Sequence, residues 1–459
     1  MQFLRVLPCE SIEEEITVPG DKSISHRAML LSALANGNSR IQNVLTSEDC
    51  INTADSLRAL GVIVQHSLLK NEMQIQGVGR QGLKPPVAPL NCGNSGTGIR
   101  LLLGLLAGQD FSAQLTGDEY LQKRPMNRVV LPLKMMGAKI QGVAREDRSG
   151  APNLFPPLTI TGTSAVKGIT YELPIASAQV KSAILIAGLF AQDATTVLEP
   201  VPTRDHTERL LHSMGLTVEI RTQGQGQAIR LHPADLRPIS LSIPGDISAA
   251  AFWLVAASIV SDSRLIIRDV GLNPTRTGVL DVLKRMGAKF FIEKERWIGS
   301  ERVGDLLVQQ APLTGTVIAG PEIPRLIDEI PILAVAAACA SGQTVVRDAG
   351  ELRVKESDRI KTVVSQLLKM GVDIHETEDG MVINGNPHSI TGGKVSSHGD
   401  HRIAMAAAVL GLVAQGETII EDTACIATSY PGFERTLRQI LMVDQVTHSL
   451  EEFEEEEEP

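Results

Sequence analysis

The sequence predicts a mixed α/β protein of two similar lobes, built from six copies of one small unit. Three observations carry that prediction. A helix-ending glycine signature recurs five times, a small-residue apolar helix recurs six times, and a Pro-Gly-Asp entrance at 19–21 returns at 244–246. Six units of roughly 75 residues account for nearly all of the 459-residue chain, and a period that long is not that of a solenoid or propeller. The returning entrance marks the second half, so the units group three and three with a cleft between, a favoured place for small ligands.

The glycine signature reads Leu57-Arg58-Ala59-Leu60-Gly61-Val62, Leu133-Lys134-Met135-Met136-Gly137-Ala138, Leu211-His212-Ser213-Met214-Gly215-Leu216, Leu283-Lys284-Arg285-Met286-Gly287-Ala288 and Leu368-Lys369-Met370-Gly371-Val372. The glycines are 76, 78, 72 and 84 residues apart. Each fits the position just past a helix, where the left-handed backbone is cheap only for Gly. Alternating apolar residues follow, as in Ala288-Lys289-Phe290-Phe291-Ile292, so a strand comes next. The second signature is a polar or Gly-containing entrance followed by a small-residue apolar helix. Its copies begin near Pro19, Gly93, Ser177, Pro244, Asp328 and His398. Stretches such as Ala183 to Ala191, Ala249 to Ala257 and Ile332 to Ala340 are apolar nearly all round and should be buried. No unit reads as the clean β-α-β alternation of a doubly wound sheet. The unit after His398 ends less clearly than the others.

Composition narrows the function classes. Hydrophobic residues make up 43% and charged residues 21%, which is ordinary globular usage, but aromatics are only 3%. Stacking platforms for single-stranded nucleic acid are therefore not expected. The net charge of −10 is concentrated in residues 451–458, which hold seven glutamates, so the body sits near −3. A near-neutral body with an acidic tail is not a nucleic-acid binder, and the tail reads as solvated and disordered. Cys9, Cys50, Cys92, Cys339 and Cys425 form no C-x-x-C pair, which argues against a metal or redox site and for a reducing compartment. The start, Met-Gln-Phe-Leu-Arg-Val-Leu-Pro, has no signal-peptide pattern, and the longest apolar run, Ile403 to Ala414, is too short for a membrane span. The expectation is a cytoplasmic protein with no membrane and no nucleic-acid partner.

The helix entrances carry the chemistry. Pro19-Gly20-Asp21-Lys22-Ser23-Ile24-Ser25-His26-Arg27 puts Ser23 and Arg27 on one helical face and Lys22 at a helix start, where anions are already favoured. Asn91-Cys92-Gly93-Asn94-Ser95-Gly96-Thr97-Gly98-Ile99-Arg100 lets backbone approach a ligand but lacks the Lys-Ser or Lys-Thr of a Walker A loop. In Lys123-Arg124-Pro125-Met126-Asn127-Arg128, Arg124 and Arg128 would share a helical face, suited to carboxylate or phosphate. Ser177-Ala178-Gln179-Val180-Lys181 offers hydroxyl and amide donors, or simply an N-cap. His206, in Arg204-Asp205-His206-Thr207-Glu208, lacks zinc spacing. Asp328 and Glu329 are either helix caps or proton-transfer groups. Glu351-Leu352-Arg353-Val354-Lys355-Glu356-Ser357-Asp358-Arg359 is either an exposed salt-bridged helix with Lys355 and Arg359 four apart, or part of a site. His398-Gly399-Asp400-His401-Arg402 puts a cation directly before a buried helix. If these entrances face one cleft, Lys22, Arg27, Arg100, Arg124, Lys355, Arg359 and Arg402 suit polyanionic small molecules, with Asp328 and Glu356 for proton transfer. That combination fits group transfer on phosphorylated carboxylic acids.

On Gly20-Asp21-Lys22-Ser23, the Asn94 to Arg100 loop, Arg124-Pro125-Met126, Lys355-Glu356-Ser357-Asp358-Arg359 and Asp400-His401-Arg402, the chain resembles the 5-enolpyruvylshikimate-3-phosphate (EPSP) synthases, the 3-phosphoshikimate 1-carboxyvinyltransferases, from about residue 15 to 440. The resemblance implies the enolpyruvyl transferase fold, a two-lobed inverted α/β barrel with three β-α-β-α-β-β units per lobe. Residues 1–20 with 243–445 would form one lobe, 21–242 the other and 446–459 a disordered acidic tail, with the active site between the lobes. It implies transfer of the enolpyruvyl group of phosphoenolpyruvate to the 5-hydroxyl of shikimate 3-phosphate through a tetrahedral intermediate, in aromatic amino-acid biosynthesis. The implied enzyme is a monomer that needs no cofactor and no metal. Carried over residue by residue, shikimate 3-phosphate would be held by Lys22, Ser23, Arg27, Ser177, Ala178, Gln179, Arg204, Asp328 and Lys355. Phosphoenolpyruvate would be held by Lys22, Asn94, Gly96, Arg124, Gln179, Arg359 and Arg402. Asp328 would take the hydroxyl proton, and Glu356 with Lys22 would move the proton at the methylene carbon. A carboxyl in that acid role is expected to have a raised pKa. Because cations sit on both lobes, open lobes should repel until shikimate 3-phosphate draws them together.

Two departures stand out. Many members carry a Lys where this chain has Ala427-Thr428-Ser429-Tyr430-Pro431, and Arg204 is the candidate replacement. Arg204-Asp205-His206-Thr207-Glu208, Ser177-Ala178-Gln179-Val180-Lys181 and Asn273-Pro274-Thr275-Arg276 look like the class II branch, whose members often tolerate glyphosate, a competitor of phosphoenolpyruvate. Yet Gly96 is kept where one tolerant type has alanine. The alternatives are the related UDP-N-acetylglucosamine enolpyruvyl transferase, which uses a loop cysteine for which Cys92 is the candidate, and a non-catalytic anion-binding relative.

Overall fold

Two separate hydrophobic cores organise the molecule, one built from residues between Ile24 and Ile243 and the other from Leu4 to Val18 together with Ile247 to Leu441. The computed structural model describes residues 2–441 apart from 68, 70, 148 and 149, and the backbone of 446–450. Six four-stranded sheets surround these cores, three on each. Every sheet has the same plan, one parallel pair followed by two antiparallel pairs. One unit runs Leu90–Asn91, helix Gly96–Leu106, Ser112–Thr116, helix Asn127–Met135, Lys139–Glu146 and Pro152–Thr161. In four of the six sheets the parallel pair is a short β-α-β element, and in the other two it is made by strands distant in the chain, so no sheet is doubly wound, in keeping with the reading from sequence. The opening strands are only two to five residues long, such as Leu90–Asn91 and Val317–Ile318, too short to register as a hydrophobic pattern.

The sequence signatures fall where their chemistry requires. Gly61, Gly137, Gly215, Gly287 and Gly371 all follow helices with φ between +78° and +112°, the region from which a side chain is excluded by its own Cβ. The small-residue helices Lys22–Ala33, Gly96–Leu106 and Ala178–Gly188 lie in one core, and Ile247–Ile259, Ile330–Ala338 and His401–Gly411 in the other. The latter three pack on one another, and every residue of Ile330–Ala338 is buried.

The chain passes between the cores twice, and the two passages are bonded together. Asp21 N donates to Pro244 O at 2.9 Å and Asp246 N to Pro19 O at 2.9 Å, closing an antiparallel bridge between Gly20 and Gly245. Strands are exchanged at this crossing. Glu13–Thr17 pairs in parallel with Arg264–Gly271 beyond the second passage, while Ser240–Ser242 pairs in parallel with Asn36–Gln42 beyond the first. The chain ends are exchanged too. Gln2–Val6 lies between Thr418–Glu421 and Val446–Leu450 and completes the sixth sheet. This corrects the expectation of a disordered tail from 446. Residues 446–450 form the strand that the sixth unit needs, and 451–459 lie outside the described residues.

Close packing at the crossing makes a direct test. A Cβ on Gly20 would overlap the carbonyl of Asn43, which is backbone and cannot rotate away. Gly20→Ala is expected to lower the unfolding free energy by about 2–3 kcal/mol, read from urea denaturation. Unchanged stability would mean that the passage is not held this tightly.

Candidate active site

The six small-residue helices all begin at one cavity. Its volume is about 530 Å³, and its walls include Lys22 and Ser23, Thr97 and Arg100, Ala178 and Gln179, Ser248, Asp328, and His401 with Arg402, residues at or just before those six N-termini. The N-caps are local and readable. Asp21, Ser95, Ser177, Asp246 and Asp400 each accept a hydrogen bond from a backbone N–H of the first turn. Six helix N-termini converging on one space make it favourable for anions before any side chain is counted.

Side chains add cations from both cores and interleave carboxylates among them. Arg359 is 1% exposed, and its guanidinium is divided among three carboxylates: Nε to Asp400 at 2.8 Å, Nη1 to Asp328 at 3.2 Å and Nη2 to Glu356 at 2.6 Å. Asp328 also accepts from Lys355 Nζ at 3.3 Å and from Arg204 Nη2 at 2.5 Å. Arg124 Nη1 lies 3.4 Å from Glu356, and Arg128 Nη1 donates to Glu351 at 2.7 Å. Arg204, Arg124 and Arg128 belong to one half of the molecule and Asp328, Glu356 and Glu351 to the other. The two halves thus exchange ion pairs across the cavity, with arginines of one half facing carboxylates of the other.

The expected site residues divide into two groups. Lys22, Ser23, Arg124, Ser177, Ala178, Gln179, Arg204, Asp328, Lys355, Glu356, Arg359 and Arg402 all line the cavity. Arg27, Asn94 and Gly96 stand just behind it. Arg27 is 2% exposed and spends its guanidinium on Ser182 Oγ at 2.8 Å, Thr207 Oγ1 at 2.8 Å and the Ser23 carbonyl at 2.9 Å, so it braces Ser23 instead of facing the cavity. Asn94 accepts from Arg124 Nη2 and so aims it. A Cβ on Gly96 would come within 2.6 Å of Arg124 Nη1 and 2.9 Å of Arg100 Nη1, so its absence is what lets both guanidinium groups sit there.

Several local readings change. Arg124 and Arg128 do not share a helical face, because Arg124 is extended and the helix starts at Asn127. Lys355 and Arg359 are not on one helix either; Asp358 caps the helix that begins at Arg359. Asp328 is not a cap, since the helix starting at Ile330 has no side-chain cap. Burial would raise the Glu356 carboxyl, but Arg359, Arg124 and Lys355 outweigh it and hold it well below the usual range. That is opposite to the raised value expected from sequence. Burial also works to raise Asp328, and Lys355, Arg204, Arg402 and Arg359 likewise depress it. His401 is pushed down to about 3 by burial and by Lys22, so it is a neutral imidazole.

Sequence reasoning missed two partners. Asp49, buried at the start of helix Glu48–Ala59, forms an ion pair with Lys22 Nζ, which also donates to the Thr428 carbonyl at 3.3 Å. Arg276 joins Asp21, Asp246 and Ser248 at the chain crossing. Neither is near its partner in sequence, and a lone Asp or Arg sends no local signal. Arg204, the candidate replacement for the missing family lysine, is paired with Asp328, whereas Thr428 sits against Lys22. Cys92 is buried outside the cavity lining, and burial pushes its thiol up to about 12, unlike a loop cysteine poised for chemistry. Among the described residues no His, Cys, Asp and Glu cluster could hold a metal ion, and no helix is long and apolar enough to cross a membrane.

The family model for EPSP synthase (3-phosphoshikimate 1-carboxyvinyltransferase) matches residues 6–437. A 3-phosphoshikimate 1-carboxyvinyltransferase of Desulforudis audaxviator is 50% identical over 95% of this chain and 99% of its own, and that of Chloroflexus aggregans is 52% identical over 93% and 96%. Among solved structures, EPSP synthase from Acinetobacter baumannii superposes with a TM-score of 0.83 at 42% identity, covering 98% of this chain and all of that one. The enolpyruvyl transferase NikO from Streptomyces tendae shares the fold, with a TM-score of 0.75 at 17% identity.

The depressed carboxylates have a signature in acid. A carboxyl whose folded pKa lies below its unfolded value stabilises the fold above the unfolded pKa, about 4, and that contribution is lost as the pH falls through the folded value. The stability difference between the native chain and Asp328→Asn, measured by urea unfolding, is therefore expected to be largest at neutral pH and to shrink below about pH 4. A difference that grows toward acid would contradict the assigned direction.

Proposed function

The chain belongs to the EPSP synthase family and carries out its reaction, and on that premise we propose how its cavity does so. It transfers the enolpyruvyl group of phosphoenolpyruvate to the 5-hydroxyl of shikimate 3-phosphate and releases phosphate, a step of aromatic amino-acid biosynthesis. The observation that carries the assignment of roles is the convergence of Lys22, Arg124, Lys355, Arg359 and Arg402 on one space that also holds Asp328 and Glu356.

Ser23, Ser177, Ala178, Gln179, Arg204 and Lys355 receive shikimate 3-phosphate, with Arg27 fixing Ser23 from behind. Arg124, Arg359 and Arg402 receive phosphoenolpyruvate, with Asn94 and Gly96 setting the position of Arg124 and Gln179 held by Arg100 at 2.8 Å. Lys22 reaches both ligands. Asp328 accepts the 5-hydroxyl proton as the oxygen attacks the central carbon of phosphoenolpyruvate. Glu356 delivers a proton to the methylene carbon, giving the tetrahedral intermediate, then takes one back as phosphate leaves with Lys22 offsetting its charge.

The low pKa of Glu356 bears on that cycle. A phosphate monoester carries about −1.5 to −2 and a carboxylate −1 at neutral pH, so the two substrates bring roughly five to six negative charges. Those charges take over Arg124, Arg359 and Lys355 as partners, which removes the influences holding Glu356 down and lets burial raise it toward the value an acid needs. The same exchange makes Asp328 a stronger base.

We also read the protein as a cytoplasmic monomer. The five cysteines are free and one chain supplies the residues named for both substrates, which supports that reading.

Two measurements test the roles. Phosphate release from phosphoenolpyruvate should require shikimate 3-phosphate and fall about 10²–10⁴-fold in Asp328→Ala. Release with UDP-N-acetylglucosamine in its place, or a fully active variant, would overturn the assignment. Gly96→Ala should raise KM for phosphoenolpyruvate about tenfold and weaken glyphosate at least as much, with KM for shikimate 3-phosphate nearly unchanged. Equal effects on both substrates would place Gly96 in a different role.

A further inference from the structure

Arg276 is 2% exposed, yet it borders the cavity and touches both halves of the molecule. Its Nη1 donates to Asp21 at 2.9 Å, and its Nη2 to Asp246 at 3.3 Å and to Ser248 Oγ at 2.6 Å. Asp21 caps helix Lys22–Ala33, the first helix of one core, and Asp246 caps Ile247–Ile259, the first helix of the other. These caps stand at the two passages of the chain, where Asp21 N and Asp246 N are already hydrogen-bonded across the crossing. Lys22 is bound into the same knot, because its backbone N–H donates to Asp246 Oδ2 at 3.2 Å. On the far side, Ser248 Oγ donates to Glu329, the neighbour of Asp328, and Arg402 lies 3.8 Å from the same carboxylate.

We propose that Arg276 is a positioning residue: its guanidinium clamps the two helix caps at the chain crossing and thereby fixes where Lys22 meets the substrates. The inference rests on the role given to Lys22 above. A planar fork can hold both caps at once, whereas a single ammonium head can hold only one at full strength. The clamp also supplies the counter-charge for buried carboxylates, and removing one partner of such a cluster leaves the others buried without compensation. Charge compensation and positioning are therefore separable. Lysine restores the first and not the second.

The test compares native enzyme, Arg276→Lys and Lys22→Met in steady-state phosphate release with both substrates varied. Arg276→Lys should stay folded, with kcat reduced about 10- to 100-fold and both KM values within about threefold, the pattern of a misplaced reacting group. Full kcat in folded Arg276→Lys, or a change confined to KM, overturns the proposal. Full activity in Lys22→Met shows instead that the reading of the cavity is wrong, and the inference falls with it. If Arg276→Lys does not fold, the same readout is taken on Asp21→Asn, which keeps the helix cap because Asn caps as well as Asp but loses the charge facing Arg276. A loss in kcat of about tenfold supports the clamp there, and native kcat overturns it.

Discussion

A space that gathers this many cations can persist only because carboxylates are threaded between them. Arg359 is the clearest case, with each arm of its guanidinium committed to Asp400, Asp328 or Glu356. Two unit charges about 4 Å apart repel by several kcal/mol at the effective dielectric of a partly buried site. Asp328, Glu356, Glu351 and Asp49 offset that cost; the first three reach across to arginines of the opposite half, and Asp49 meets Lys22 on a neighbouring helix of its own half. In the mechanism we propose, a polyanionic substrate displaces Glu356 and Asp328 from these cations. On that proposal, stability of the arrangement and readiness for chemistry come from one set of contacts.

The repeat explains how the cations arrive. Each unit contains a buried helix, five of the six with a side-chain N-cap, and all six aim at one volume. Cations placed one or a few residues past each cap inherit that aim without long-range design. The two bonded chain passages join the cores, while Glu13–Thr17 and Ser240–Ser242 each complete a sheet of their own core with a strand far along the chain.

Features made of local chemistry were legible in the sequence. The C′ glycines, the capping residues and the small-residue helices depend on neighbours a few positions away, and they give the six units, whereas the twelve expected residues that line the cavity were named as a set by the family resemblance. Pairings across the chain were not legible. Asp49 meets Lys22, Arg276 meets Asp21, and Gln2–Val6 meets Val446–Leu450 only after the fold has formed. The last strand was hidden by the acidic run beside it, which dominated the reading of the whole terminus. Arg27 looked like a ligand because its type and spacing suit one; its burial against Ser182 and Thr207 could not be read from spacing. The direction of the Glu356 pKa depended on counting cations from both halves, which sequence alone does not bring together.

The central claim is that substrates replace carboxylates as partners of the cations and so turn Glu356 from a paired anion into an acid. The most direct measurement is an isotope-edited infrared or carbon NMR titration of the Glu356 carboxyl, assigned with Glu356→Gln. It would be made on the free enzyme and on the enzyme saturated with shikimate 3-phosphate and an unreactive analogue of phosphoenolpyruvate. The account predicts a carboxylate that stays ionised well into acid in the free enzyme and whose midpoint moves up toward neutrality in the loaded one. A midpoint that stays low with both ligands bound would contradict it.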